Sequence, residues 1–176
     1  MQLVGMNIET IAYIESENEF DRAKKKAFWQ ALFSSITGRA GQLRSFAEAV
    51  EVLQSHQTIS LGLQDISLKN IVGTVSRERD FTCNFLPRTN STVGKERWRK
   101  IYILAVTGEG FPPVEVYKIG QDYFVKDGHH RVSVARYLGW DTIQANVTEI
   151  FSPTIDQNSS NGQFNLGNGA ELCTQL

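Results

Sequence analysis

YKIGQDYFVKDGHHRVSVARYLGWDTIQANVTE, Tyr117 to Glu149, is the stretch from which the fold can be read. Val114, Val116 and Ile119, a break at Gly120-Gln121, then Tyr123, Phe124 and Val125 spell two strands joined by a tight turn. Behind Asp127-Gly128-His129-His130-Arg131, the residues Val132, Val134, Ala135 and Leu138 keep helical spacing up to Gly139, the residue type that favours a left-handed helix cap. Ile143 to Ile150 alternates again and reads as a closing strand. The expected architecture is therefore α+β, with a small antiparallel or mixed sheet and packed helices.

The loop between the second strand and the helix carries the chemistry. Asp127 can accept from the first unpaired N–H groups of the helix, and Gly128 lets a ligand approach the backbone. His129, His130 and Arg131 add side-chain donors at the positive end of the helix dipole. A phosphate held there would gain about 1.5–3 kcal/mol from each buried charge-assisted bond. The same residues also suit a structural role, with Asp127 as a cap, one histidine packed under the loop and Arg131 paired with a carboxylate. Two adjacent histidines without an acidic or cysteine partner at a defined spacing make a poor ligand set, so no metal site is expected.

Upstream, Ser76 to Arg99 has no sustained period and reads as a long loop, a kind of segment that often carries function. Within it Arg77, Arg79 and Arg88 are candidate phosphate clamps, and Glu78 and Asp80 are candidate general bases. A helix is expected from Trp98 to Thr107, and one or two short strands between Gln57 and Gly73. Phe20, Ala23, Ala27, Phe28, Ala31 and Leu32 predict an amphipathic helix from about Asn18 to Ser35, and Phe46, Val50 and Leu53 a second from about Leu43. With Gly38 and Gly41 between them they suggest a helical hairpin. The expected division is 1–56 helical segment, 57–150 α+β domain, and 151–176 disordered polar tail.

Composition narrows the setting. The net charge of −1 hides a basic middle, Arg77 to Lys100, and a tail from Phe151 without Lys or Arg, so an anionic partner should meet the middle of the chain. Cys83 and Cys173 lie far apart without metal spacing, and no run of apolar residues approaches a membrane span. A cytoplasmic protein with no membrane partner is expected.

The order apolar strand, arginine-bearing loop, helix, Pro112-Pro113-Val114-Glu115-Val116, hairpin, Gly128-His129-His130-Arg131 and helix resembles the ParB N-terminal/sulfiredoxin-like superfamily over about Leu61 to Ile150. Arg79-Asp80-Phe81, Phe85-Leu86-Pro87, Arg97-Trp98 and the histidine loop are similar to a group of uncharacterised bacterial ParB-like proteins. The resemblance implies a phosphate- or nucleotide-binding loop, with ATP, ADP or CTP as ligand and magnesium as its companion. Sulfiredoxins have a nucleophilic cysteine where this chain has His129, which argues against sulfinic acid reduction, since imidazole cannot replace a thiolate. ParB partition proteins have Glu and Arg where His129 and His130 stand, and carry a helix-turn-helix domain for which the residues after Ile150 are too few and too polar. The free-serine kinases share Asp127, Gly128, His130 and Arg131, which implies phosphoryl transfer with an upstream carboxylate as base. The competing expectation is a non-enzymatic nucleic-acid-binding regulator that uses the basic middle segment and Lys24, Lys25 and Lys26.

Overall fold

A computed structural model of the chain describes residues 7–37, 43–53, 55–88 and 91–152. In chain order the elements are α1 (Ile8–Thr37), β1 (Arg44–Ser45), α2 (Phe46–Glu51), β2 (Gln57–Ser67), β3 (Ile71–Thr74), α3 (Thr92–Thr107), β4 (Val114–Ile119), β5 (Asp122–Asp127), α4 (His129–Tyr137) and β6 (Thr142–Phe151). The strands form one mixed sheet in the order β1-β3-β5-β4-β6-β2. β2 runs antiparallel to β6 and β4 antiparallel to β5, while β1 with β3, β3 with β5, and β4 with β6 are parallel. The chain is thus α+β. Among the described residues, no helix is long and apolar enough to cross a membrane.

The alternation of strand side chains sorts the core onto two faces. Val114, Val116, Val125, Ile143, Ala145 and Val147 point to one face, where Val132 and Ala135 of α4 and the loop residues Phe81 and Phe85 cover them. Val72, Ile119, Phe124 and Ile150 point to the other, under Ala49 and Phe46 of α2. Phe46 stacks on Tyr117 with ring centroids 4.8 Å apart. The β4–β5 hairpin turns through Gly120, which has φ 60°, the geometry a two-residue turn needs at its first central position.

Outside α4 lie α3 and then α1, joined around Trp98. Its ring is fully buried, stacks on Tyr102, meets Phe20 and Tyr137 edge-on, and donates from Nε1 to Ser133 Oγ at 3.0 Å. Ala12, Ser16, Ala23 and Ala27 give α1 a buried face of small side chains. Arg99 of α3 reaches back to that face, donating to Ser16 Oγ at 3.0 Å and to the Tyr13 carbonyl at 3.3 Å.

Several expectations need correcting. The two N-terminal helices do not pair as a hairpin: α1 packs on α3, whereas α2 lies across the opposite face of the sheet. The reason is β1, which pairs with β3 and carries the chain into the sheet. α1 is longer than its apolar pattern suggested, and Phe28 and Leu32, expected in its buried face, are exposed. α3 begins at Thr92 rather than Trp98, because Ser91 caps it, its Oγ accepting from Gly94 N at 3.4 Å, and the first turn has no buried face to produce a period. The expected boundary at residue 56 falls inside a packed unit to which α1 and β1 belong. The expected disordered tail lies, from residue 153, outside the described residues, as do Gly38 and Gly41.

Candidate anion site

The segment after β3 was expected to lack structure, yet it is tied down at both ends. Thr74 Oγ1 accepts from Ser76 N at 3.3 Å and from Arg77 N at 3.2 Å, which folds the chain back as it leaves β3. Thr82 N donates to the Leu86 carbonyl at 2.9 Å and Arg88 N to the Asp80 carbonyl at 2.8 Å, with Phe85 between them at φ 57°. Phe81, Phe85 and Leu86 are buried against the sheet. A loop buried to this depth needs such internal partners for its backbone.

His129 and His130 leave β5 on either side of Phe81 and have different surroundings. His129 is buried beneath Phe81, and its Nε2 lies 2.6 Å from Thr74 Oγ1. The same hydroxyl accepts from the two backbone N–H groups and lies 3.4 Å from the Val125 carbonyl, so His129 is tied to the group that shapes the loop. His130 meets Phe81 edge-on at 5.4 Å, and its Nδ1 is buried without a hydrogen-bond partner among the described residues. Burial, reinforced by the Arg77 guanidinium, pushes each imidazole down to about 4, so both are neutral near pH 7.

His130 lines a cavity of about 280 Å³ with Arg77, Asp80, Phe81, Arg97 and Phe20. Its far wall is the first turn of α3, at Ser91, Val93 and Gly94. A Cβ built on Gly94 would stand 3.9 Å from His130 Cε1, so the imidazole lies directly against that turn. Arg77 Nη1 pairs with Asp80 at 3.1 Å across the cavity wall. Arg97 is exposed and forms no ion pair among the described residues. Two guanidinium groups, one unpaired imidazole nitrogen and the start of a sixteen-residue helix therefore converge on one space.

The other expected site residues lie elsewhere. Arg131 Nη1 donates to the Pro112 carbonyl at 2.8 Å and the Pro113 carbonyl at 2.5 Å, and its Nη2 pairs with Asp127 at 2.5 Å. It fastens the start of β4 to the start of α4. Gly128, φ 96°, sits so close that a Cβ there would meet Val114 Cγ1 at 2.7 Å and Arg131 Nε at 2.9 Å. Glu78 and Arg79 do not line the cavity, and Arg88 borders the adjoining groove instead. Sequence reasoning brought together Arg77, Asp80 and His130 but missed Arg97, Ser91, Gly94 and Phe20. The missed signal was the Ser91 cap, which turns a supposed loop into a helix start.

No family model matches this chain, and neither the curated proteins nor the solved structures contain a significant match to it.

Proposed function

We propose that this chain binds the phosphate of a small phosphorylated ligand in the cavity between the 76–91 loop, α3 and the start of α4. The observation that carries the reading is a single cavity lined by Arg77, Arg97 and His130, an imidazole whose Nδ1 is buried without a partner among the described residues. Leaving such a nitrogen unpaired costs about 1–3 kcal/mol, which a ligand oxygen would recover. The first turn of α3 lies at the same wall, where the positive end of the helix dipole favours an anion. ATP, ADP or CTP, with or without magnesium, remain the candidate ligands by resemblance to ParB-like and sulfiredoxin-like proteins. Asp80 is the carboxylate in place to serve as a base, once a phosphate draws Arg77 away from it. The wide separation of Cys83 and Cys173 and a ligand of this class favour a cytoplasmic setting.

The nucleic-acid reading has less support. In the basic middle segment three of the seven cations are answered within the protein, Arg77 by Asp80, Lys95 by Glu17 of α1 and Arg99 by Glu96. The test is isothermal titration with inorganic phosphate, ATP, ADP and CTP, with and without magnesium, on the wild type and Arg97→Ala. Saturable binding that the variant weakens supports the proposal; equal binding by both proteins removes the phosphate from this cavity.

A further inference from the structure

Phe20 is the first of several α1 residues to wall a cavity. One turn further along the helix, Lys24, Lys25, Phe28 and Trp29 form a wider groove with Pro87 and Arg88, of about 430 Å³. Pro87 borders both spaces, so the groove adjoins the anion cavity across a single residue. At 1.5 Å rise per residue, Phe20 and Phe28 stand about 12 Å apart along α1.

Among the described residues, Phe28 and Trp29 belong to none of the buried clusters that hold the fold together. The packed face of α1 is the one bearing Ala23 and Ala27, whereas Phe28 and Trp29 are 64% and 56% exposed. Their rings meet edge to face at 5.8 Å, and Phe33 extends the cluster from Trp29 at 6.4 Å. An exposed aromatic cluster bordered by cations is a recognition surface more often than a structural one.

We infer that this groove is the second half of the anion site and takes the flat end of an aromatic phosphomonoester whose phosphate lies among Arg77, Arg97 and His130. The inference rests on the phosphate reading above. It adds a requirement for an aromatic ring on the same ligand, supplied by a helix outside the region of family resemblance. Continuity across Pro87 favours one ligand spanning both spaces, and the exposed Lys25 at the rim of the groove suits an anionic ester. Stacking on a side chain of this kind strengthens binding about tenfold or more per ring.

The test titrates the full chain with inorganic phosphate, glycerol 3-phosphate and 4-phenylbutyl phosphate, whose four-carbon chain lets ring and phosphate stand in separate spaces, in the wild type, Trp29→Ala and Arg97→Ala. The phenylbutyl ester should bind about tenfold more tightly than the two ring-free anions, in line with one stacked ring. Trp29→Ala should erase that advantage and leave phosphate affinity unchanged, while Arg97→Ala should weaken all three ligands. If Trp29→Ala weakens none of them, or all equally, the inference is overturned and the phosphate reading survives through the Arg97→Ala loss. If Arg97→Ala changes nothing, or no ligand binds, the phosphate reading fails and takes the inference with it. A single-stranded oligonucleotide bound more tightly than the phenylbutyl ester, with steep salt dependence, would also overturn it by making the groove a nucleic-acid track.

Discussion

Two helix starts in this protein offer the same backbone chemistry in opposite settings. At α4 the position is filled from within: Asp127 and two proline carbonyls occupy the guanidinium of Arg131, and Gly128 sits against Val114 with no room to spare. At α3 the first turn opens onto a cavity with Arg77, Arg97 and an unpaired His130 nitrogen. The loop with the densest run of chemical side chains thus holds the sheet and helix together. Apart from His130, the charged groups lining that cavity come from outside the histidine run, Arg77 and Asp80 from the segment after β3 and Arg97 from α3.

The strongest way to break that contrast is Gly128→Ala. The added methyl would meet Val114 and Arg131 at sub-contact distances in a backbone region that L-residues avoid, so a loss of about 3 kcal/mol or more is expected in urea unfolding. Arg131→Ala should follow, at about 2–4 kcal/mol, because it strips partners from two carbonyls and a carboxylate at once. Were Arg131→Ala instead to keep full stability and lose ligand affinity, the roles assigned to the two helix starts would be reversed.

Acid sharpens the comparison further. Both imidazoles are held neutral in the fold, at about 4 against an ordinary 6.5, so protonation favours the unfolded chain. Their stabilising contribution is complete above about pH 6.5 and disappears as pH falls toward 4, to the extent of about 2–3 kcal/mol for each. The difference in urea midpoint between wild type and His130→Asn should shrink over that interval; a constant difference would mean that His130 is not buried as a neutral ring. Sulfate, which does not titrate there, should bind more tightly as pH falls, since an anion stabilises the imidazolium.

Arg97→Ala should leave urea stability within about 0.5 kcal/mol, as for an exposed side chain, yet cost about 1.5–3 kcal/mol of phosphate affinity. Ser91→Ala is the mildest change. It removes a helix cap and should lower stability by about 1 kcal/mol, with a small loss of affinity as the first turn of α3 frays. Circular dichroism melts and titration on the same samples separate the two effects.

The sequence made the second half of the fold legible because its elements repeat a simple period between clear breaks. The β4–β5 hairpin, α4 with its cap at Gly139, and β6 all stand where alternation and glycine placed them. α1 resisted the same reading because it bears apolar residues on two sides, one packed on α3 and one exposed at Phe28 and Trp29, so no single face stands out. β1 is only two residues long, too short for any pattern, and it alone redirects α2 to the far face of the sheet. Half of the candidate site was visible as Arg77, Asp80 and His130. The other half, Arg97 and the start of α3, depends on one serine hydroxyl and on the distant α1, and separation along the chain conceals such neighbours.

The contacts of α1 bear on how separable this protein is. Tyr13 and Ser16 answer Arg99, Glu17 answers Lys95, Glu19 answers Tyr137, and Phe20 covers Trp98. A chain cut just before Gln57 would keep β2 to β6 with α3 and α4, but would lose β1 and uncover the Trp98 cluster. The cavity and the N-terminal helix are therefore one piece of architecture: the helix could not be transplanted to another protein, or another helix substituted for it, without remaking a wall of the cavity.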